Sequence, residues 1–239
     1  MHPDSVPGFR RLIMQARVSD PVLLNERAMS RMVTHVQWLL RRVGDSGIRL
    51  TTAGWLPPAV VLDATTELDW GWPVSANREN QIIPLLELRT HMRDSGLLRV
   101  SRGILLQTLK GHALAEAPRQ LWWHLAATVH RNRKQVVSDA TRLLLLFVAT
   151  RSLDSDEECL VAVARGLDTI GWAEADGSPV LPERVAHLVR EKKRIMNRLG
   201  VFLPNQQGLG FSFVATVGGA AFARAALQTH APVEPVAEA

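Results

Sequence analysis

The sequence predicts a mainly helical α+β fold with short β-hairpins, and three observations indicate it. Apolar residues recur at the three- and four-residue spacing of amphipathic helices, as in the segment 20–43. Two apolar runs flank Ser101-Arg102-Gly103, a pattern typical of a β-hairpin. The chain has 239 residues, of which 46% are hydrophobic, so it can bury a core for one or two domains.

Capping and turn residues define the predicted elements of the first half. Ser19-Asp20-Pro21 is typical of a helix start, and we expect that helix to run to Val43 and end at Gly44. A short strand over Ile48–Leu50 follows, and Pro57-Pro58 opens another helix. The next predicted elements are the helix 81–95 ending at Gly96, and the hairpin around residue 102.

The second half repeats this order. Asp154–Glu158 is an acidic helix start after a helix near 138–151. The remaining predicted elements are the helix 182–199 stopped by Gly200, the strands 201–203 and 211–215 around a turn at 205–210, and a last helix to about residue 228.

A short phrase, T-x-x-G, occurs at Thr51, Thr108 and Thr216. A threonine at a strand end can cap the following helix, and a glycine one turn later lets that helix lie close to its neighbour. At Thr108 and Thr216 the phrase follows a helix and a hairpin, which is the C-terminal half of a winged helix-turn-helix. We therefore predict tandem winged-helix-like modules, with complete instances over 81–114 and 182–227. A generic helical domain with two hairpins is the alternative.

The predicted organisation has five parts. They are an N-terminal helical segment (1–46), a first winged-helix-like module (47–118), a helical linker (119–172), a second module (173–230) and a disordered tail (231–239).

Composition limits the function classes. A net charge of +5 suits an acidic partner such as nucleic acid. The alternative is a G+C-rich genome, which also produces chains rich in arginine and alanine and without tyrosine. The single Cys159 excludes an intramolecular disulfide. The longest apolar run, Leu143–Ala149, is too short for a membrane span and predicts a buried helix face. With no signal peptide in view, we expect a cytoplasmic protein without membrane contact.

The helix 182–199 carries the main candidate DNA contacts. His187, Arg190, Arg194 and Arg198 fall opposite its apolar face and predict an outward stripe for the major groove, with Lys193 beside it. A solvated basic face without a partner is the alternative. Lys192 falls near the apolar face, where we expect its stem to pack and its amine to reach outward.

The first hairpin contributes Arg99 and Arg102 as candidate phosphate contacts, with ordinary turn solubility as the alternative. Arg89 falls on the core side of its helix, so we expect it to pair with a carboxylate such as Glu79.

Tryptophans divide into two groups. Trp70 and Trp72 lie in a Gly/Pro-containing loop and are the candidate partner surface. The others that lie among apolar neighbours are expected in the core: Trp55, Trp122, Trp123 and Trp172.

Enzyme signatures are weak. The sequence has no H-x-x-x-H pair, phosphate loop or G-x-S-x-G, so we expect no catalytic residues, no metal and no cofactor. Asp176 followed by Glu191-Lys192-Lys193 resembles the D…E-x-K pattern of metal-dependent nucleases. That pattern needs its E-x-K on a strand, and here it falls inside a periodic helix, so a nuclease is a remote alternative.

Several phrases also resemble a family. They are GIRLTTAGWLPPAVV, the NRE of 77–79, SGLLRVSRGILLQTLKGHAL, LWWHL and TVGGAAFARAAL. Over roughly residues 30–228 the chain is similar to the C-terminal region of an actinobacterial family labelled plasmid open-reading-frame-three-like, or insertion-element passenger protein. The resemblance implies a bacterial, mobile-DNA context and supplies no catalytic residues.

The sequence therefore predicts a non-enzymatic protein that binds double-stranded DNA, such as a regulator or mobile-element accessory factor. The alternative from another class is a protein-protein interaction scaffold built on the same modules. Salt separates the two, because phosphate contacts weaken steeply as salt rises and a hydrophobic interface does not.

Overall fold

The computed structural model describes residues 6–68, 77–204 and 213–228, and helices dominate these ranges, which confirms the mainly helical α+β class. The elements in chain order are α1 (Val6–Ala16), α2 (Glu26–Val43), β1 (Ile48–Arg49), α3 (Pro58–Glu67), a 3-10 turn (Glu79–Gln81), α4 (Ile83–Asp94), β2 (Leu98–Ser101), β3 (Ile104–Gln107), α5 (Leu109–Leu114), α6 (Pro118–Thr128), α7 (Gln135–Thr150), α8 (Asp156–Thr169), α9 (Pro182–Arg198) and α10 (Val217–Gln228).

The chain forms two compact units, each built from separated segments. The described part of the helical unit consists of residues 6–24, 126–192, 201–204 and 213–228. The sheet unit consists of residues 25–125, apart from the undescribed loop 69–76, together with 193–200. Helix α2, which we assigned to a separate N-terminal segment, lies in the sheet unit with β1.

The sheet unit contains a three-stranded antiparallel sheet in the order β1-β3-β2. Residue Leu105 of β3 pairs with Ile48 on one side and Val100 on the other. The predicted hairpin is confirmed, and its turn residues Arg102 (φ 49°) and Gly103 (φ 74°) are both left-handed. Two left-handed central residues match the twist of the strands they join.

The predicted start of α2 at Ser19-Asp20-Pro21 is wrong. The helix begins at Glu26, where the Oδ1 of Asn25 accepts a hydrogen bond from the Ala28 N–H at 2.8 Å. Residues before it are held in a turn because the Gln228 side chain donates to the backbone carbonyls of residues 18 and 20. A partner this distant in the sequence outweighs the local helix-start signal.

The predicted helix 81–95 also begins differently. Glu79–Gln81 forms a 3-10 turn, and α4 starts at Ile83 with Pro84 in its first turn. Proline lacks the N–H that an earlier helical turn would need, so it fits only where that donor has no intrahelical partner.

Each unit has its own apolar core. The sheet unit buries Trp122, whose Nε1 donates to the Met32 sulfur at 3.2 Å. The helical unit buries the Leu143–Ala149 face of α7, as predicted, against α8 and α10. Of the tryptophans expected in the core, Trp122 is fully buried, while Trp55, Trp123 and Trp172 are half-buried.

Candidate nucleic-acid interface

The threonines of the second and third phrases cap helices in the same way. The Thr108 Oγ1 accepts a hydrogen bond from the Gly111 N–H at 2.9 Å, at the start of α5. The Thr216 Oγ1 accepts from the Gly219 N–H at 2.8 Å, at the start of α10. The capping role predicted for these threonines is confirmed.

The glycine of each phrase lies against a backbone carbonyl. A Cβ added at Gly111 would lie 2.1 Å from the oxygen of Leu97, and one added at Gly219 would lie 2.0 Å from the oxygen of Val201. The threonine N–H of each phrase donates to that same oxygen, at 3.0 Å and 2.9 Å respectively. Each carbonyl follows a left-handed glycine that ends a helix, Gly96 or Gly200. The two sites therefore share one local geometry.

The first phrase is different. Its Gly54 has a left-handed φ of 79° and donates its N–H to the carbonyl of Thr51 at 2.8 Å. The Thr51 hydroxyl accepts instead from the N–H of Trp55, and the next helix begins only at Pro58. The phrase at Thr51 is a turn and not a helix cap, because its glycine lies within a left-handed turn.

Three arginines are exposed on the hairpin sheet of the sheet unit. Arg99 and Arg102 are exposed, and Arg49 on β1 joins them. Arg49 pairs with Ile104 and Arg99 pairs with Leu106, so both arginines lie on the face opposite the core. No carboxylate in the described ranges is within ion-pair distance of the three guanidinium groups.

We call Arg49, Arg99 and Arg102 the wing arginines, after the wing that the sequence analysis predicts at this hairpin. The sequence analysis missed Arg49, although it predicted the strand that carries it. The alternation of one buried and one exposed residue in that strand, Ile48 then Arg49, is the signal that could have found it.

The predicted arginine stripe of α9 does not face solvent along its whole length. His187 and Arg190 are exposed, and the Arg190 guanidinium donates to the His187 Nδ1 at 2.8 Å. Arg194 is half-buried and donates to the Glu87 Oε1 of α4 at 2.6 Å. Lys193 is 9% exposed, so its expected outward position is wrong.

Arg198 is also half-buried, which corrects its expected exposure. Its Nε is buried without a hydrogen-bond partner in the described part of the chain. Burial lowers the pKa of Arg198, the Glu87 carboxylate opposes that shift, and the nearby Arg194 cation adds to it. Residues 193–200 belong to the same unit as α4, and this packing turns the second half of the stripe inward.

One further expectation about cations is confirmed, and another is confirmed only in part. The buried Arg89 donates its Nε–H to the Oε1 of Glu79 at 2.5 Å, and the other oxygen of Glu79 accepts the N–H of Leu56 at 2.7 Å. Arg89 is therefore a buried cation of the core that Glu79 neutralises. Lys192 is 3% exposed and its amine donates to the carbonyl of Arg131 at 3.1 Å, so its stem is buried as expected, but the expected outward reach of the amine is wrong.

The residues of the nuclease-like pattern lie in unlike surroundings. Glu191 is exposed on α9 and Lys193 is buried, and both lie on a helix as predicted. Asp176 is exposed in a turn, where the Ser178 hydroxyl, first, and the Ser178 backbone N–H lower the pKa of the carboxyl. Within the described ranges, no three His, Cys, Asp or Glu residues are grouped so that they could hold a metal ion.

Some predicted features lie outside the described residues. These are the candidate partner surface Trp70 and Trp72, the turn 205–210 and the tail 231–239. Among the helices that are described, none has the length and apolar character needed to cross a membrane.

Compared with known protein families, curated proteins and solved structures, the chain shows no significant match. Its function is therefore inferred from its own geometry.

Proposed function

We propose that the sheet unit contains a winged-helix module and that the chain binds double-stranded DNA through its wing. The order α2, β1, α3, α4, β2, β3 and the sheet order β1-β3-β2 are those of a winged helix. In this interpretation the β2–β3 hairpin is the wing and α4 is the helix that precedes it.

The second module of the proposal, predicted over 173–230, contains α9, the paired segments that follow it and α10. Phe202 bridges Ala215 in antiparallel fashion, and the Leu203 N–H donates to the Val214 carbonyl at 2.9 Å. The shared Thr-Gly geometry at the end of both modules supports a tandem repeat.

The observation that carries the DNA proposal is the exposure of the wing arginines without carboxylate partners. A guanidinium can donate two parallel hydrogen bonds to a phosphate, and phosphate contacts supply most of the affinity of sequence-independent binding. The α9 residues His187 and Arg190 are the next candidates because they too are exposed.

We expect Arg194 and Arg198 to contribute less to DNA binding than the exposed arginines. A phosphate that recruited Arg194 would leave the Glu87 carboxylate half-buried without its cation, which costs free energy. In this proposal the protein binds DNA and catalyses no reaction.

The test is fluorescence anisotropy with a random 30-base-pair duplex across a salt series. We expect the variant R49A/R99A/R102A to bind more weakly at low salt. Its log–log slope against salt should be smaller by roughly 3, because each phosphate contact contributes about 0.9.

The matched control removes three arginines exposed in the helical unit, R10A/R11A/R165A, and so the same net charge. Equal losses in both triple variants would show a bulk-charge effect and contradict the wing. Unchanged binding by the wing variant would also refute the proposal.

A protein-interaction scaffold is the second candidate, and one observation favours it. Leu109 is 93% exposed and Val217 is 68% exposed, and each immediately follows the capping threonine of its phrase. Large apolar side chains exposed at the same position of both modules suit a hydrophobic partner. The salt series separates the candidates, because capture through Leu109 and Val217 would barely respond to salt and would be lost in L109S/V217S.

A further inference from the structure

The helical unit contains an apolar cavity of about 270 Å³ that the DNA proposal does not use. It lies beside α1, α7 and the end of α10. Its apolar lining includes Phe9, Ile13, Leu143, Leu146, Ile170 and Leu227. Leu143 and Leu146 are buried, whereas Ile13 is 42% exposed, so the cavity has its deep side on α7 and its rim on α1.

One end of the cavity is polar, and its charges are balanced. Asp139 and Arg142 of α7 line it, and the Arg142 Nη1 donates to the Asp139 Oδ1 at 2.9 Å. The carboxylate also accepts from the Gln135 Nε2 at 2.9 Å and from the Trp172 Nε1 at 3.2 Å. Both oxygens of Asp139 are thus engaged. The Arg142 side chain is 32% exposed, and in the described ranges only its Nη1 has a partner, so the terminal Nη2 is the donor open to a ligand, whereas the buried Nε is out of reach.

This arrangement selects for a chemical class of ligand. A guanidinium with unused donors attracts a hydrogen-bond acceptor such as a carbonyl oxygen. A ligand carboxylate would bring a second negative charge beside Asp139, which already neutralises Arg142. An ammonium group would meet an acceptor that is already occupied.

We propose that this cavity is a binding site for a small uncharged molecule with an apolar body and one carbonyl acceptor. An apolar cavity of about 150 Å³ stays dry and binds benzene, so a cavity of this size accommodates an apolar body of roughly ten carbon atoms. The carbonyl accepts a hydrogen bond from Arg142, and the body packs against the apolar lining. The site does not rest on the proposed DNA binding, and its test uses no DNA.

The experiment uses the full chain and the uncharged fluorescent probe 1-naphthylamine, whose ten carbon atoms match the size of the cavity, with 2-nonanone, nonane and nonanoate as competitors. We expect the probe to bind with enhanced fluorescence. We expect 2-nonanone to displace it at least tenfold better than nonanoate. The variant D139N/R142L should lose the preference for 2-nonanone over nonane and keep probe binding, because it removes the donor together with the carboxylate that the donor neutralises.

Two further variants test the location. Leu146→Trp fills the deep side and should abolish probe binding, while Leu62→Trp, at a half-exposed site of the sheet unit, should not. If circular dichroism shows that the Leu146 variant is misfolded, Ile13→Trp at the rim replaces it. That variant should lower the affinity for the probe at least fivefold. Absence of probe binding, unaltered binding in the filled variant, or equal competition by nonanoate would each overturn the proposal.

Discussion

Replacing Gly111 by alanine tests the geometry on which the proposed repeat depends. The added Cβ would lie 2.1 Å from the Leu97 carbonyl oxygen and 3.1 Å from its carbonyl carbon. Both atoms are backbone, so a side-chain rotation cannot relieve the contact. The chain can accept the methyl group only by moving α5 away from Leu97.

The size of the effect follows from what that movement breaks. Overpacking a close contact costs about 1–3 kcal/mol. The Leu97 oxygen also accepts the Thr108 N–H at 3.0 Å, and a net hydrogen bond contributes about 0.5–1.5 kcal/mol. Alanine returns up to about 1 kcal/mol through its higher helix propensity. We therefore expect Gly111→Ala to lower the free energy of unfolding by about 2 kcal/mol.

Urea denaturation followed by circular dichroism measures this loss. Gly8→Ala is the matched control, since a Cβ there meets no atom within 4 Å and the residue also lies in a helix. The control should be neutral or slightly stabilising. The equivalent Gly219→Ala should lose a similar amount to Gly111→Ala, because its Cβ would lie 2.0 Å from the Val201 oxygen. A Gly111→Ala protein as stable as the control would refute the reasoning.

Three further substitutions have defined outcomes in the same denaturation assay. Glu79→Gln should cost about 3–5 kcal/mol, because it leaves the buried Arg89 cation uncompensated, and the double variant E79Q/R89M should recover part of the loss. Arg194→Ala should cost only about 1 kcal/mol, because its pair with Glu87 is partly screened by solvent. Thr216→Val should cost about 1 kcal/mol through loss of the α10 cap, whereas Thr216→Ser should retain most of it.

The sequence predicts best the features that depend on neighbours a few residues away. The hairpin turn at Arg102-Gly103, the threonine caps and the end of α9 before Gly200 all rest on local backbone chemistry, and the structure has each of them. The pairing of Arg89 with Glu79 was also predictable, since a cation on the core side of a helix needs a nearby carboxylate.

The features that the sequence does not predict depend on distant contacts. The first turn of the expected helix at Ser19 is absent because Gln228, near the other end of the described chain, holds the carbonyls there. The discontinuous units have the same origin, because α9 begins in one unit and its last residues belong to the other. No periodicity along the chain encodes which segment a helix will pack against.

The α9 stripe shows how this limit affects a functional prediction. Spacing of i, i+4 and i+8 places Arg190, Arg194 and Arg198 on one side of a helix, but it does not make that side solvent-exposed. Glu87 decides the matter for the second half of the stripe, because it supplies the charge that a phosphate would otherwise supply. Counterion release requires cations that are not already neutralised, so exposure and the absence of a carboxylate are better guides to a DNA contact than helical spacing. By that criterion the wing arginines, which follow no helical pattern, carry the stronger prediction.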